Sequence, residues 1–191
     1  TTSIWETPLN FSLYSGARWV IQGDNGSGKS TLMELIQNKL KPVGGSLYVA
    51  KATVLHLDQD YQMINPKLTV MEQASLFKHS ATLSHEVGIA LTRFLFTPDY
   101  WDKACAVLSG GERMRLALLC LYLKKEAADI LLLDEPTNNL DLENLQILTE
   151  VVAAFKGTLV VTSHDPLFLK EIGITHGLLL NEGGKVAPVQ N

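Results

Sequence analysis

The sequence predicts an α/β fold in which helices cover a largely parallel sheet and a helical subdomain is inserted at about residues 66–125. Three observations support this prediction. Short, continuous apolar strands alternate with helix-like segments, which is typical of strands buried on both faces. A glycine-rich loop, residues 23–30, lies between the first such strand and the first helix. Residues 66–107 contain helix-like pieces in place of strands, which indicates the insertion.

The predicted elements of the first third of the chain surround the glycine-rich loop. Residues 17–23, ARWVIQG, form a short apolar strand that ends at a glycine. Residues 29–40 follow as a helix with apolar side chains on one face. After a break rich in Pro and Gly, SLYV (46–49) and ATVLHL (52–57) are two further candidate strands.

The remainder of the chain repeats this alternation with longer helices. The predicted elements are helices at 69–77, 85–96 and 112–125, a strand at 129–136, a helix at 142–155 and a strand at 158–164. The helix at 112–125 is apolar nearly all round, which indicates that it is buried. Ligands of parallel sheets bind at the carboxyl ends of the strands, so the polar residues that follow each strand are the first candidates for a site.

Composition and charge indicate a single globular domain over residues 1–191. Hydrophobic residues make up 46% of the chain and charged residues 19%, which allows a sizeable core. The net charge of -4 and the lack of a Lys/Arg run do not suggest a polyanion partner. The longest apolar run, Leu116–Leu123, is far shorter than the ~18 residues of a membrane span. Since Cys105 and Cys120 have no metal-ligand spacing and are expected to be reduced thiols, we predict a cytoplasmic protein without direct membrane insertion.

The loop GDNGSGKS (23–30) fits the motif G-x-x-x-x-G-K-[ST] and predicts a P-loop NTPase. Its glycines let backbone N–H groups turn toward phosphates, its lysine places a charge on the β- and γ-phosphates, and its serine hydroxyl reaches Mg²⁺. A chance glycine turn is the weaker interpretation, because the motif lies between a strand and a helix as it requires. The predicted phosphate-binding residues are Gly23, Asn25, Gly26, Ser27, Gly28, Lys29, Ser30 and Thr31.

A second motif, ILLLDEP (130–136), places two acids at the end of an apolar strand. Asp134 is predicted to hold Mg²⁺ together with Ser30. Glu135 is predicted to orient or deprotonate the attacking water, since phosphoryl transfer rests on positioning and charge stabilisation. A solvated turn is the alternative, because Asp-Glu-Pro is common by itself, and the P-loop favours the catalytic interpretation.

Three single residues carry weaker predictions. Gln59 follows a candidate strand and is predicted to reach the metal or the attacking water, with Gln62 as the alternative and a surface glutamine as the simpler interpretation. His164 follows the last predicted strand, where a ring N–H would bind the γ-phosphate, although a lone histidine is usually structural or exposed. Trp5 precedes Lys29 by 24 residues and is a candidate for stacking on adenine; a core or surface tryptophan is equally expected.

Taken in order, the motifs resemble those of the ATP-binding domains of ABC proteins. The set comprises the P-loop, Gln59, LSGGE (108–112), LLLDEP, NNLD (138–141) and His164. In this family two domains form a head-to-tail sandwich, in which the P-loop of one and the LSGGE of the other clasp one ATP. The resemblance implies a second ABC domain as partner, on a longer chain or in a homodimer, with Asp141 bracing the interface loop. The residues that would contact the partner's nucleotide are Ser109, Gly110, Gly111 and Glu112.

Four segments are similar to the ABC-F branch of this family: RFLF (93–96), LSGGERMRLAL, LLLDEPTNNLD and GTLVVTSHDPLFL. Members of the branch carry two ATP-binding domains on one chain and no transmembrane domain, and many act on ribosomes, some in antibiotic resistance. The resemblance therefore implies one ATPase domain of a tandem protein, with ATP and Mg²⁺ as cofactors and the ribosome as a partner. Asn139 and Pro166 depart from the branch, which usually has histidine and arginine at these positions.

Other functions share these motifs and remain open. One is the ATP-binding subunit of a membrane transporter, although the short insertion fits the ABC-F branch better than transporters, whose longer insertions dock on membrane domains. Another is a domain that uses ATP as a structural clamp with negligible turnover. A DNA-repair ATPase with coiled-coil arms is disfavoured, because the sequence contains no heptad run.

Overall fold

The computed structural model describes residues 4–5, 8–58, 60–79, 82–124, 128–138, 140–180 and 185–188. Within them the strands are β1 (Arg18–Gln22), β2 (Val54–Leu57), β3 (Ile130–Asp134), β4 (Thr158–Thr162), β5 (His176–Leu179) and β6 (Lys185–Pro188). The helices are α1 (Lys29–Ile36), α2 (Val70–Phe77), α3 (Ser84–Arg93), α4 (Gly110–Leu123), α5 (Leu142–Ala154) and α6 (Pro166–Glu171). Among these helices, none combines the length and the apolar character that crossing a membrane requires.

The strands of the described residues form one sheet in the order β2-β3-β4-β1-β5-β6. The pairs β3 with β4, β4 with β1 and β1 with β5 are parallel, whereas β6 runs antiparallel to β5 at the edge. All residues of β4 and the central residues of β1 and β3 are buried, as expected for a sheet covered on both faces. The predicted α/β fold with a largely parallel sheet is confirmed.

This strand order brings three chemically important segments to one edge of the sheet. The P-loop follows β1, the two acids lie at the end of β3, and His164 lies just past β4. Because β3, β4 and β1 are consecutive and parallel, their carboxyl ends are neighbours. The register between β3 and β4 places Asp134 opposite Thr162.

Contacts divide the chain into two compact units, of which the first comprises residues 1–56, 128–137 and 155–191. Its core joins the sheet to the apolar face of α1. The buried residues of this core include Trp19, Ile21, Leu32, Met33, Leu35, Ile36, Leu132, Val160 and Leu178. Because α1 is fixed on the sheet along this face, the loop that precedes it is fixed as well.

The second unit comprises residues 57–127 and 138–154 and is helical. Helices α2, α3, α4 and α5 bury the side chains of Val70, Ala74, Val87, Leu91, Leu116, Leu119, Leu148 and Val152. The buried Gln73 fixes the loop before α2: its side-chain oxygen accepts from the Asn65 N–H at 3.0 Å, and its side-chain nitrogen donates to the Met63 carbonyl at 3.2 Å.

The two cysteines lie in this helical unit, and both are free and buried. Burial raises the pKa of the Cys120 thiol to about 12. A thiol with this pKa holds almost no thiolate at neutral pH, so Cys120 is an unreactive core residue.

Two of the sequence predictions place an element where the structure has none or a shorter one. Helix α1 ends at Ile36 rather than at residue 40, because Asn38 adopts a left-handed backbone (φ 56°) and its N–H bonds to the Leu35 carbonyl at 2.9 Å. Residues 46–49, SLYV, form no strand. Tyr48 is 90% exposed, and strand-forming residues stabilise a strand only when they pair and pack.

The elements at the C-terminal end, α6, β5 and β6, were not among the predicted ones. Helix α6 has a recognisable start signal, since Pro166 is its first residue and Asp165 is its N-cap. The Asp165 carboxylate accepts from the N–H groups of Leu167 at 3.0 Å and Phe168 at 3.1 Å. Strand β5 has only four residues, HGLL, which is too short for a periodic signal.

Candidate active site

The P-loop backbone is shaped by glycines in left-handed conformations. Gly26 has φ 82° and Gly28 has φ 95°, a region that residues with a side chain rarely adopt. A Cβ on Gly26 would meet no atom of the described residues within 4 Å, so with respect to them the loop is open on that side. Gly28 is also the N-cap of α1, whose first N–H groups receive no side-chain cap. The helix start is therefore free to bind an anion.

The Lys29 side chain is held over the P-loop by two carbonyls of that loop. Its ammonium donates to the Gly23 carbonyl at 2.7 Å and to the Asp24 carbonyl at 3.2 Å. The side chain is half-buried, which keeps the charge beside the loop. A phosphate that enters the loop thus meets a cation that is already in place.

Ser30 and Asp134 meet directly. The Ser30 hydroxyl donates to the Asp134 carboxylate at 3.0 Å, which joins the P-loop to the end of β3. These are hard oxygen donors of the kind that Mg²⁺ prefers in combination with phosphates and water. The pair therefore fits a magnesium ion, although the described residues contain no cluster of three or more His, Cys, Asp or Glu that would hold a metal by itself.

Thr162 positions both acids, and the sequence analysis did not identify it. Its fully buried hydroxyl donates to Asp134 at 2.7 Å and accepts from the Glu135 N–H at 2.8 Å. The Glu135 N–H also donates to the Thr162 carbonyl at 3.1 Å. The available signal was the polar residue at the end of TLVVT, in the strand that a parallel sheet places beside ILLLD.

Glu135 and His164 lie next to each other. The His164 Nε2 atom is 3.5 Å from a Glu135 carboxylate oxygen. The Glu135 side chain is 14% exposed, whereas that of His164 is 69% exposed. Glu135 also has a left-handed backbone (φ 46°), which is strained for a residue with a side chain. The carboxylate thus stands at the sheet edge in a shielded, fixed position, with the imidazole on its outer side.

Trp5 lies against the P-loop. Its indole N–H donates to the Ser27 carbonyl at 2.9 Å, and a Cβ on Gly28 would lie 2.9 Å from the indole ring. Trp5 therefore supports the loop that precedes α1, and its adenine-stacking role stays a prediction. Gln59 and Asn139 lie outside the described residues.

The LSGGE segment forms the start of α4. Ser109 is the N-cap: its N–H donates to the Glu112 carboxylate at 2.7 Å, and its hydroxyl accepts from the Glu112 N–H at 3.3 Å. Burial alone would raise the pKa of Glu112, but hydrogen bonds from Ser109 and Tyr100 and the charge of Arg115 hold it below the ordinary value of 4.5. The Glu112 carboxylate is therefore charged at neutral pH.

Asp141 caps the start of α5 in the same helical unit. Its carboxylate accepts from the Asn144 N–H at 2.8 Å, and its carbonyl accepts from the Leu145 N–H at 2.9 Å. The side chain that the sequence assigns to an interface loop thus has a capping role within the chain.

The ABC transporter family matches residues 7–138 of the chain. Among curated proteins, the chain is 40% identical over 167 residues to the ATP-binding protein Uup of Buchnera aphidicola, covering 84% of this chain and 28% of that protein. It is 38% identical over 182 residues to the energy-dependent translational throttle protein EttA of Haemophilus influenzae, covering 93% of this chain and 32% of that protein. The chain thus spans about a third or less of the length of these two relatives.

Solved structures show the same fold. The dimeric ATP-binding cassette MJ0796 in a post-hydrolysis state with ADP and phosphate superposes with a TM-score of 0.73 at 21% identity, over 96% of this chain and 90% of that one. An archaeal ribosome recycling factor, solved with a ribosomal stalk protein, gives a TM-score of 0.70 at 27% identity, over 87% of this chain and 32% of that one.

Proposed function

The chain belongs to the ABC family of ATP-binding proteins and, within it, to the ABC-F branch, and on this premise we propose that it binds Mg·ATP at its P-loop and hydrolyses it to ADP and phosphate. The observation that carries the proposal is the 3.0 Å hydrogen bond from Ser30 to Asp134, beside Glu135. It joins the phosphate-binding loop to the acidic strand end, as metal-assisted phosphoryl transfer requires. We take residues 1–191 as one ABC-type domain with a helical insertion at about 66–125.

The phosphates bind where the loop turns into α1. The uncapped N–H groups of the helix start and of the loop donate to phosphate oxygens. The Lys29 ammonium exchanges its bonds to the Gly23 and Asp24 carbonyls for bonds to the β- and γ-phosphates. The adenine stacks on an aromatic ring, for which Trp5 is the candidate.

Ser30 and Asp134 would hold the metal ion, with Gln59 as a further candidate ligand. When bound, Mg²⁺ neutralises charge on the phosphate oxygens as the γ-phosphoryl group is transferred. Thr162 keeps the Asp134 carboxylate turned toward Ser30 through its 2.7 Å hydrogen bond.

Glu135 acts as the general base that takes a proton from the attacking water. Its carboxylate is shielded, its backbone is fixed by Thr162, and its oxygen lies 3.5 Å from His164. A ring N–H of His164 donates to the γ-phosphate or orients the carboxylate. Base and water must be within hydrogen-bond reach for this transfer, which a fixed carboxylate favours.

The variant Glu135→Gln tests this assignment. It keeps the shape of the side chain and removes the base, so we expect ATP hydrolysis to fall by ~100-fold or more while ATP affinity stays within about twofold. Both quantities are measured on the same preparation, by phosphate release and by titration calorimetry. Substantial ATP turnover by Glu135→Gln would mean that another residue is the general base, with His164 as the next candidate.

The LSGGE segment serves a nucleotide bound to a second ABC domain. The family arrangement pairs it with the partner's P-loop, and MJ0796 is a dimeric cassette with the same fold. Ser109, Gly110 and Gly111 then donate to the partner's γ-phosphate, and Asp141 lies in the loop along the same interface. The partner is the other half of a tandem chain or a second copy of this one.

For the whole protein we propose a cytoplasmic role at the ribosome. Two comparisons support it: EttA is named as a translational throttle, and the archaeal protein is named as a ribosome recycling factor and was solved with a ribosomal stalk protein. The alternative is a transporter subunit, which the likeness to a metal-chelate ABC transporter with 26% identity favours. Full-length protein carrying Glu135→Gln, sedimented with ATP in a cell extract, should pellet with ribosomes; recovery in washed membranes would favour the transporter.

A further inference from the structure

Asn144 is a buried polar residue at the start of α5 whose side chain joins two segments of the helical unit. It is 5% exposed. Its side-chain nitrogen donates to the Asp141 carboxylate at 3.0 Å, and its side-chain oxygen accepts from the Arg115 guanidinium at 3.3 Å. Asp141 belongs to the NNLD loop and Arg115 to the second turn of α4, so one amide connects both.

The same amide lies against the LSGGE turn. A Cβ built on Gly111 would lie 2.7 Å from the Asn144 nitrogen, so a side chain at this position would displace the amide. A Cβ on the adjacent Gly110 would meet no atom within 4 Å in the part of the chain that the structure describes. Asn144 therefore supports the turn on the Gly111 side and leaves the Gly110 side open.

Arg115 is itself held in place, which makes the connection stiff. Its guanidinium carbon lies 5.5 Å from the centre of the Phe96 ring, and Phe96 is fully buried. Arg115 also contributes to lowering the pKa of Glu112, whose carboxylate accepts from the Ser109 N–H. The chain of contacts thus runs from the buried Phe96 through the half-buried Arg115 and the buried Asn144 to Asp141 at the surface.

A buried asparagine often does no more than satisfy its own hydrogen bonds in a core. Asn144 differs because it bonds to Asp141 of the NNLD loop and lies against Gly111 of the LSGGE turn, and the proposed function assigns these two segments to the interface with a second ABC domain. We infer that Asn144 is a positioning residue that fixes the spacing between the LSGGE turn and the NNLD loop, so that both engage the partner domain in one arrangement. This inference rests on the proposed pairing for its functional consequence.

The first test measures the positioning without nucleotide or partner. Hydrogen exchange of the 191-residue chain is compared between wild type, Asn144→Ala and Leu148→Ala, a buried truncation one turn along α5. We expect amides of residues 108–112 and 140–144 to exchange about tenfold faster in Asn144→Ala, as loss of bonds to charged groups predicts. Unchanged exchange, or an equal increase in Leu148→Ala, would overturn the inference.

The second test uses the contact between Gly111 and Asn144. Gly111→Ala alone should lower the thermal midpoint, because the added methyl group meets the amide. In the Asn144→Ala background, the fall in thermal midpoint caused by Gly111→Ala should be less than about half of that in the wild-type background, because the effects of substitutions at contacting residues are not additive. It should persist in Asn144→Leu, which keeps the bulk, and in Leu148→Ala. Additive losses in the Asn144→Ala background would show that the two residues are not coupled.

The third test connects the position to function. With Glu135→Gln present to slow turnover, Asn144→Ala should weaken ATP-dependent pairing about tenfold in sedimentation, while ATP affinity changes less than about twofold. Unchanged pairing would contradict a positioning role. If the chain binds ATP but no pairing occurs even with Asn144 intact, the pairing part of the proposed function fails, and the exchange and unfolding experiments decide whether Asn144 fixes the turn.

Discussion

Helices α1 and α4 both begin at a glycine-rich turn, but their N-termini differ in what the chain itself supplies. At α1 the N-cap is the left-handed Gly28, and the first turn contains no acidic residue. At α4 the N-cap is Ser109, and Glu112 closes a capping box over the first turn. Helix α1 leaves its partial positive charge for a ligand, whereas α4 offsets its own with a carboxylate.

This difference in capping predicts that two similar glycine-rich segments have unequal affinity for anions. A phosphate at α1 finds open N–H groups and an ammonium within its loop. A phosphate at α4 has to approach a charged Glu112, and the groups on offer are the Ser109 hydroxyl and the N–H groups of the two glycines. Such a turn is suited to close on a phosphate that another loop already holds.

The largest expected effect belongs to the first of the two loops. Replacing Lys29 with alanine removes the cation that lies beside the Gly23 and Asp24 carbonyls. We expect the dissociation constant for Mg·ATP to rise on the order of 100-fold, since charge-assisted bonds to two phosphates are lost. Titration of the nucleotide-free chain measures this, with Lys39→Ala, a lysine past the end of α1, as the control. Unchanged affinity for Mg·ATP in Lys29→Ala would show that Lys29 does not bind the phosphates.

The second expected effect belongs to the α4 turn and concerns pairing instead of binding. Ser109→Arg adds bulk and charge where the partner's γ-phosphate approaches. We expect ATP affinity of the chain to change less than about twofold and ATP-driven pairing, measured by sedimentation with Glu135→Gln present, to be lost, because productive geometry tolerates misplacement of only about 1 Å. If Ser109→Arg weakened ATP binding as strongly as Lys29→Ala, LSGGE would serve the chain's own nucleotide and the comparison would fail.

The smallest expected effect concerns the charge of Glu112 at the start of α4, which α1 has no counterpart for in its first turn. Glu112→Gln keeps a capping side chain and removes the charge, so it should lower the free energy of unfolding by about 0.5 kcal/mol at pH 7. The pKa of Glu112 is lower in the folded chain than its ordinary 4.5, so its charge stabilises the fold above about pH 4.5. This contribution is lost as the pH falls through the folded pKa. Urea unfolding of wild type and Glu112→Gln, at pH 7 and again below pH 4, measures the difference in their free energies of unfolding. A difference that is the same at both pH values would contradict this electrostatic contribution.

Most of the candidate site could be predicted because contiguous motifs specify it. GDNGSGKS fixes a loop and the helix after it, and ILLLDEP fixes a buried strand with acids at its end. The alternation of strands and helices then predicts a parallel sheet, which brings these ends together. The meeting of Ser30 with Asp134 follows from that fold without any further information.

The residues that hold these motifs in place could not be predicted in the same way. Thr162 contacts both acids because the register sets it opposite Asp134, and register is not readable from a single strand. Asn144 contacts Gly111 because two helices pack closely at that point, which depends on tertiary structure. The prediction of a strand at SLYV was wrong because strand formation also depends on tertiary packing. Its strand-forming residues have no packing partner among the described residues that would bury Tyr48.

The left-handed backbone at Glu135 makes the stability of the fold and the turnover of ATP compete at one residue. A residue with a side chain costs about 1–2 kcal/mol in this conformation, a cost that glycine avoids and asparagine reduces. Laboratory evolution that screens only for heat resistance would therefore enrich Glu135→Gly or Glu135→Asn, and each gain in melting temperature at this position would discard the proposed base. A selection that alternates heat challenge with ATP turnover would keep the glutamate and place its stabilising changes elsewhere.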